Sequence, residues 1–335
     1  MGRVDSISVI GAGSWGTVLA NLLALKGNDV CLWAYERETV ESITDSGENK
    51  LFMPGLKLSP RLIPTGNLEA AAKAAFIILA VPTQFIRGIL KLAAAGMGPQ
   101  TIVITAAKGI ERGTLKTASA IIREFISNEI AVLSGPSFAD EVAKKKPTAV
   151  TLAISSLSKA GVALQEMFYT EYFRVYTHED LIGVELGGAL KNVIAIASGI
   201  CDGLELGLNA RAALITRGLS EIIRLGEALG ARENTFSGLS GLGDLVLTCT
   251  GSLSRNYTVG LRLGRGETPA EILSDMKAVA EGVETSASAF ALAERTGVEM
   301  PIVEQVYRVI HQSKDPALAV RQLMSRELKG EFRHG

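Results

Sequence analysis

The sequence predicts an N-terminal α/β domain with a doubly wound, mainly parallel sheet, followed by an all-α C-terminal domain. The chain has 335 residues, which is longer than single hydrophobic cores usually grow. Short apolar runs alternate with helical stretches up to about residue 180, and helical periodicity continues almost without interruption after it. We therefore expect a boundary near residue 185, with domains at residues 1–185 and 186–335.

The strands of the first domain are predicted as short apolar runs bounded by turn residues. They lie at residues 6–10, 30–33, 76–81, 101–105, 130–133, 148–154 and 172–176, and the last two are expected to form an edge pair. A helix at residues 17–26 joins the first two strands. The helices of the second domain are predicted at residues 184–200, 210–229, 254–263, 269–275, 284–296, 301–312 and 316–324.

Composition and charge exclude several classes of function. With 34 basic and 35 acidic residues the formal net charge is -1, so nothing attracts a polyanion and no nucleic-acid partner is expected. The three cysteines are far apart, and the three histidines lack metal-ligand spacing. We therefore expect no disulfide framework, no metal site and a reducing, cytoplasmic location.

The most apolar long stretch, residues 181–201, is about as long as a membrane span. It contains Glu185 and Lys191, and charged side chains are costly in lipid. A buried helix with functional charges explains this stretch better than membrane insertion does.

A glycine motif follows the first predicted strand. Gly11, Gly13 and Gly16 match G-x-G-x-x-G, and the motif lies between a strand and a helix of the first β-α-β unit. In such a turn the glycines allow a tight bend, a close approach to the pyrophosphate and close helix packing. The free N–H groups of the following helix favour phosphate. The motif predicts a site for NAD or NADP.

The choice between the two cofactors depends on the end of the second strand, about twenty residues further on, where an acidic residue favours NAD. No acidic residue directly follows Trp33, and the chain continues as Ala34-Tyr35-Glu36-Arg37. Arg37 could face the 2′-phosphate of NADP, or it could be a surface residue of the next helix. We favour NADP, with NAD tolerated.

Lysine is the best candidate for a catalytic residue. Transfer of a hydride to a ketone builds negative charge on oxygen, which a proton donor must neutralise. Lys191 lies in a strongly apolar helix, where desolvation lowers the pKa of an ammonium group towards the working range. The alternative is a lysine at the domain junction whose charged end reaches solvent.

Further polar segments are expected around the same cleft. Lys108 and the turn at residues 134–137 follow two neighbouring strands, at the edge where doubly wound sheets bind ligands. Ser254 can cap a helix whose first turn contains Arg255 and Asn256. That arrangement suits a phosphate or a carboxylate, although an ordinary capped helix with a surface arginine has the same sequence.

Taken together in chain order, these motifs resemble the NAD(P)-dependent glycerol-3-phosphate dehydrogenases of the bacterial type. The resemblance depends on GAGSWG at residues 11–16, AKG at 107–109, SGPSFA at 134–139, GGALKNV at 187–193, GLGDL at 241–245 and SRN at 254–256. It implies reversible reduction of dihydroxyacetone phosphate to sn-glycerol 3-phosphate, which supplies glycerophospholipid synthesis. It also implies a C-terminal domain like that of 6-phosphogluconate dehydrogenase, and a homodimer.

The resemblance also implies roles for individual residues. Lys191 matches the catalytic proton donor, and Lys108, Asp244 and Thr248 complete the catalytic group. The implied contacts to the dinucleotide, beside the glycine turn and Arg37, are Ser14, Trp15, Phe52, Lys108, Ala139, Arg255, Val279 and Glu281, with Phe52 the loosest match. The implied contacts to the substrate are Lys108, Gly135, Ser137, Lys191, Asp244, Ser254, Arg255 and Asn256.

Two other functions are compatible with parts of this pattern. β-Hydroxyacid dehydrogenases and ketopantoate reductases also combine a Rossmann domain with helices and use a lysine. A dinucleotide-sensing regulator would bind the cofactor without turnover and would not need Lys191 and Asp244.

Overall fold

The computed structural model describes residues 6–155, 159–276, 280–328 and 330. Within these residues one eight-stranded sheet forms the first half of the chain. Its strands are β1 (Ile7–Ile10), β2 (Val30–Trp33), β3 (Leu62–Thr65), β4 (Phe76–Leu79), β5 (Ile102–Thr105), β6 (Ile130–Ser134), β7 (Thr148–Ile154) and β8 (Phe173–His178).

The strand order is β3-β2-β1-β4-β5-β6-β7-β8, and the direction of winding reverses between β1 and β4. Neighbouring strands are parallel except β6 and β7, which are antiparallel. The expected edge pair is confirmed, because β7 and β8 pair with each other at one end of the sheet. The crevice at the reversal point, outside the carboxyl ends of the strands, is where such sheets bind ligands.

One strand was missed by the sequence pattern. β3 is a four-residue edge strand that contains Pro64 and pairs only with β2 among the described strands. A proline within a short run argues against a strand unless the strand lies at an edge, and the sequence alone does not show which strands are edges. The predicted first helix also begins earlier than expected, at Ser14, inside the glycine motif.

Seven helices accompany the described part of the sheet. They are α1 (Ser14–Leu25), α2 (Arg37–Ser46), α3 (Leu68–Ala71), α4 (Thr83–Ala93), α5 (Ala118–Ile122), α6 (Ala139–Ala143) and α7 (Lys159–Phe168). The second half of the chain is helical in its described residues. It consists of α8 (Leu181–Gly203), α9 (Gly207–Ala228), α10 (Asp244–Thr250), α11 (Arg255–Gly264), α12 (Pro269–Asp275), α13 (Glu281–Thr296), α14 (Pro301–His311) and α15 (Pro316–Met324).

The long helix α8 is the centre of the second half. It begins after Asp180, whose side chain accepts a hydrogen bond from the Gly183 N–H at 2.9 Å and so caps the helix. By length and composition α8 could cross a membrane, but 89% of its most apolar window is buried inside the protein. Its hydrophobic side chains form a core with α9, α11, α13 and α14.

Helices α8 and α11 approach each other backbone to backbone at four glycines. A Cβ atom added to Gly199 of α8 would overlap the carbonyl oxygen of Tyr257, and one added to Gly260 of α11 would overlap that of Ile196. Gly203 and Gly264, one turn further along each helix, face each other in the same way. The two backbones are therefore in direct contact, which fixes the distance between these helices.

Candidate active site

The glycine turn lies at the carboxyl end of β1 and has the shape that a pyrophosphate requires. Gly11 has a φ of +115°, which side chains other than glycine rarely adopt. A Cβ atom on Gly16 would overlap the Gly11 carbonyl oxygen, whereas one on Gly13 would meet nothing within 4 Å. The space beside Gly13, at the start of α1, fits a phosphate group that the helix N–H groups can bind.

Two predicted neighbours of the turn lie beside it. The Ser14 hydroxyl donates to the carbonyl oxygen of Phe52 at 2.9 Å, so Phe52 supports the turn through its backbone. The Trp15 ring lies 6.4 Å from the Phe173 ring, and its buried indole N–H has no hydrogen-bond partner among the described residues.

Asn49 holds the turn in place and was not predicted. Its side-chain amide is fully buried and donates to the Ala12 carbonyl oxygen and to the Thr17 hydroxyl, each at 2.8 Å. Its amide oxygen accepts from the Phe52 N–H at 3.1 Å. Because Asn49 lies in a loop far from the motif in sequence, no local pattern could have indicated this role.

Arg37 occupies the position from which it could distinguish NADP from NAD. It is the first residue of α2, just beyond the carboxyl end of β2. Its side chain is 90% exposed and forms an ion pair with Glu41 at 2.7 Å, one helical turn away. Arg37 is therefore a helix surface residue, and a 2′-phosphate would have to compete with Glu41 for its guanidinium group.

The predicted catalytic residues converge on one carboxylate. Asp244, the first residue of α10, binds Lys191 through Oδ1 at 2.7 Å and Lys108 through Oδ2 at 2.7 Å. The Lys191 ammonium also donates to the Thr248 hydroxyl at 2.6 Å, which in turn donates to the Asp244 carbonyl oxygen at 2.6 Å. Asp244 is only 1% exposed and Lys191 only 6%. We call Lys108, Lys191, Asp244 and Thr248 the lysine cluster.

The surroundings of Lys191 favour its neutral form. The pKa of Lys191 is lowered from 10.5 to about 8, mainly by burial; the negative charge of Asp244 opposes this shift, and the positive charge of Lys108 adds to it. An amine with a pKa near 8 can both donate and accept a proton near neutral pH. This is the property expected of a general acid in the reduction of a carbonyl group.

Lys108 is held at the end of its strand from both sides. Its ammonium donates to the Gly135 carbonyl oxygen at 2.9 Å, and the Ser137 hydroxyl donates to the same oxygen at 2.9 Å. The side-chain amide of Asn192 donates to the Lys108 carbonyl oxygen at 3.0 Å. Asn192 is a neighbour of Lys191 in sequence, so α8 supports both lysines of the cluster.

The first turn of α11 has the predicted cap. The Ser254 hydroxyl accepts from the Tyr257 N–H at 3.2 Å, Arg255 is exposed, and Asn256 is buried. The amide oxygen of Asn256 accepts from the Gly282 N–H at 3.0 Å, which ties α11 to the start of α13. An exposed arginine beside free helix N–H groups suits a phosphate.

The remaining predicted contacts lie at helix starts. Ala139 begins α6 and packs against the core of the first half. Glu281 begins α13 and accepts from the Thr83 N–H at 2.9 Å, which links α13 to the first turn of α4. Val279 lies outside the described residues.

Comparisons with known proteins agree with this geometry. Family models for the N-terminus and the C-terminus of NAD-dependent glycerol-3-phosphate dehydrogenase match residues 6–160 and 180–321. A glycerol-3-phosphate dehydrogenase [NAD(P)+] of Citrifermentans bemidjiense is 54% identical over 332 residues, which cover 98% of this chain and 99% of that protein. The relative from Geobacter sulfurreducens is equally similar.

Solved structures lead to the same family. The crystal structure of a glycerol-3-phosphate dehydrogenase from Coxiella burnetii matches with a TM-score of 0.93 and 40% identity, over 96% of this chain and 99% of that one. A ketopantoate reductase from Ralstonia eutropha is similar only in fold, with a TM-score of 0.58 and 13% identity. The chain therefore belongs to the NAD-dependent glycerol-3-phosphate dehydrogenase family.

Proposed function

We propose that Lys191 is the general acid in the reduction of dihydroxyacetone phosphate to sn-glycerol 3-phosphate, with NADPH or NADH as the reductant. The observation that carries this assignment is the buried ammonium of Lys191, bound to Asp244 at 2.7 Å and to Thr248 at 2.6 Å. The product is the precursor of glycerophospholipids. Lys191 acts as the base in the reverse direction.

The reaction adds one hydride and one proton to the substrate. The bound reduced dinucleotide supplies the hydride for the C2 carbonyl carbon. Lys191 gives its proton to the carbonyl oxygen and becomes neutral, which its lowered pKa makes easy. Asp244 and Thr248 hold the lysine amine in one position, and the positive charge of Lys108 stabilises the negative charge that develops on oxygen.

Residues 254–256 are proposed to bind the phosphate of the substrate. Arg255 supplies the positive charge, and the first turn of α11 supplies N–H groups. Gly135 and Ser137, which lie beside Lys108, are proposed to contact the rest of the substrate.

The cofactor is NAD or NADP, and we propose that NADPH is preferred because the exposed Arg37 lies just beyond the end of β2, where a 2′-phosphate can compete with Glu41 for its guanidinium group. Gly11, Gly13 and Gly16, with Ser14 and Trp15, are proposed to hold the pyrophosphate end. The other proposed cofactor contacts are Phe52, Lys108, Ala139, Arg255, Val279 and Glu281. We assign residues 1–185 to the Rossmann domain, which provides most of the proposed cofactor contacts, and residues 186–335 to the helical domain that carries Lys191, although each domain contributes residues to both ligands.

We also propose a location and an assembly. The net charge is -1, and the long apolar helix α8 found among the described residues is mostly buried, so the chain is proposed to act in the cytoplasm, away from nucleic acid and outside the membrane. The wide groove of α9, α14 and α15 is lined by apolar side chains such as Val306 and Leu323 together with charged ones such as Glu227, and we propose that it joins two copies in a homodimer. Sedimentation equilibrium tests this assembly.

The variant Lys191→Ala tests the proposed reaction. Oxidation of NADPH, then of NADH, is followed with dihydroxyacetone phosphate. We expect kcat to fall by about 10²- to 10⁴-fold, the usual contribution of a general acid. The dissociation constant of the cofactor should stay within about twofold, because Lys191 lies apart from the glycine turn and the loss would be confined to chemistry.

Lys146→Ala is the matched control, because this lysine lies on the surface in an exposed ion pair. It should leave both quantities unchanged. Normal turnover in Lys191→Ala would overturn the assignment of the general acid. A wild-type protein that binds cofactor but oxidises none with dihydroxyacetone phosphate would direct the search to hydroxyacid substrates.

A further inference from the structure

Glu185 is a buried acid to which the proposed reaction gives no role. It lies on α8 and is only 4% exposed. Among the described residues it has no ion-pair partner, and burial raises the pKa of its carboxyl group while hydrogen bonds with Ser119 oppose that shift. A carboxylate is costly to bury, so one that stays inside a protein is expected to use its hydrogen bonds. The partners of Glu185 therefore indicate what it does.

Both oxygens of Glu185 bind Ser119, in the first turn of α5. Oε1 accepts from the Ser119 N–H at 2.7 Å, and Oε2 accepts from the Ser119 hydroxyl at 2.5 Å. Helix α5 belongs to the first half of the chain and α8 to the second, so this contact joins the two halves. A carboxylate that accepts hydrogen bonds through both oxygens holds its partner in one orientation.

The segment that leads into α5 carries Lys108. We call residues 106–117, which connect β5 to α5, the Lys108 loop. The loop folds back on itself, because Ile110 and Thr117 form an antiparallel bridge. The end of the loop therefore lies beside its start, and a contact that holds Ser119 also holds the residues next to Lys108.

A second contact from α8 holds the start of the same loop. The side-chain amide of Asn192 donates to the Lys108 carbonyl oxygen at 3.0 Å. Asn192 follows Glu185 by about two helical turns, so the two side chains lie on the same face of α8. This face holds the Lys108 loop near both of its ends, while Lys191 binds Asp244 at 2.7 Å.

We propose that Glu185 is a positioning residue, which fixes Lys108 relative to Lys191 by anchoring the Lys108 loop to α8. Lys108 shares the Asp244 carboxylate with Lys191, and its positive charge lowers the pKa of Lys191. If Lys108 moved away, this effect would weaken and Asp244 would pair with Lys191 alone. Both changes raise the pKa of Lys191. The proposal rests on the proposed function, since it takes Lys191 as the general acid.

Glu185→Ala and Glu185→Gln together test the anchor. Alanine removes both contacts, whereas glutamine removes only the charge. The amide oxygen of glutamine can accept from the Ser119 N–H, and its NH₂ group can donate to the Ser119 hydroxyl. In Glu185→Ala we expect kcat for the reduction of dihydroxyacetone phosphate to fall on the order of 10- to 100-fold, the cost of a small misplacement of catalytic groups. Glu185→Gln should stay close to the wild type.

The titration of Lys191 distinguishes positioning from a merely structural role. It is followed by NMR on protein labelled with ¹³C at the lysine Cε atoms, and the Lys191 signal is the one that Lys191→Ala lacks. The pKa of Lys191 should rise above its value of about 8 in Glu185→Ala and stay near that value in Glu185→Gln.

Glu221→Ala is the matched control. Glu221 is also a buried carboxylate that accepts two hydrogen bonds, from the N–H groups of Ile302 and Val303. It joins α9 to α14, and neither helix carries a residue of the lysine cluster. Glu221→Ala should lower the melting temperature, as Glu185→Ala should, but leave the titration of Lys191 unchanged.

An unchanged titration of Lys191 in Glu185→Ala would overturn the anchor. Equal changes in Glu185→Ala and Glu185→Gln would overturn it as well, because the charge and not the contacts would then be responsible. If Glu185→Ala does not fold, Ser119→Ala replaces it: this variant removes one of the two contacts and should raise the pKa of Lys191 by a smaller amount, and no rise would contradict the proposal.

The titration does not depend on turnover. A wild-type protein that fails to reduce dihydroxyacetone phosphate, but whose Lys191 titration shifts as expected in Glu185→Ala, would overturn the reaction and leave the anchor standing.

Discussion

The glycine turn and the lysine cluster serve the same reaction, but the turn acts through backbone groups and the cluster through side chains. The turn consists of six consecutive residues and presents backbone N–H groups beside a space without side chains. The cluster consists of three charged side chains and a threonine hydroxyl from three segments, and its Lys108 and Asp244 are 136 positions apart in sequence. The shape of the turn is determined by residues that are neighbours in sequence, whereas the cluster forms only when both halves of the chain have folded together.

The difference determines how each site can fail. Adding a methyl group to the turn changes its shape, so binding is lost before chemistry begins. Removing the Lys191 side chain from the cluster leaves the glycine turn untouched, so chemistry is lost while cofactor binding persists. The following predictions test this contrast.

The largest effect is expected from substitutions in the turn. Gly16→Ala would push its methyl group into the Gly11 carbonyl, so both the melting temperature and the affinity for NADPH should fall, the affinity on the order of 100-fold. Gly13→Ala has free space around its methyl group and should fold normally, yet it should also weaken NADPH, because the methyl group occupies the space for the pyrophosphate. Thermal melting and calorimetric titration measure the two quantities.

Gly88→Ala is the matched control for these glycines. Gly88 lies on an exposed part of α4 with no atom near its Cβ position, so alanine should raise stability slightly and leave affinity unchanged. If Gly13→Ala binds NADPH as well as the wild type does, the pyrophosphate does not lie beside Gly13. The turn would then not be the part of the molecule on which cofactor binding depends.

A smaller effect is expected from pH. Reduction needs protonated Lys191. The kcat/KM of the reduction of dihydroxyacetone phosphate should therefore be constant below pH 8 and fall about tenfold per pH unit above it. Oxidation of glycerol 3-phosphate needs the neutral amine and should rise with pH until it levels off above about 8. Steady-state rates from pH 6 to 10 in a buffer series of constant ionic strength, an interval set by this pKa of about 8, measure both profiles.

Thr248→Val tests whether Lys191 is the group that titrates in those pH profiles. The variant keeps the ion pair with Asp244 but removes a hydrogen bond to the amine, so the midpoints of both profiles should move together. Profiles that remain flat across this pH range in the wild type would indicate that a group other than Lys191 carries the proton.

The smallest effect is expected at Arg37. Arg37→Ala should raise the KM for NADPH by about three- to tenfold and leave that for NADH nearly unchanged, because an exposed charge contributes only modestly to binding. The effect should shrink as salt is added. Equal changes for both cofactors would show that Arg37 supports α2 and does not select the 2′-phosphate.

Local patterns in the sequence predicted much of the fold and the two ends of the site. The glycine motif, the edge pair β7 and β8 and the apolar helix around Lys191 all have local signatures, and the structure contains each of them. β3 was missed because its proline is acceptable only at an edge. The supports of the site were missed for a different reason: Asn49 and Thr83 act through contacts that exist only in the folded chain.

The direct contact of α8 with α11 has a mechanical consequence. Lys191 lies on α8 and Asn256 on α11. The two ends of the proposed substrate site are therefore held at a fixed distance by the backbone contacts at the glycines. Side chains can change rotamer to accommodate a small added group, whereas two backbones in direct contact cannot. A single methyl group added at Gly260 would overlap the Ile196 carbonyl oxygen, so the two helices would have to move apart and shift Lys191 relative to Asn256.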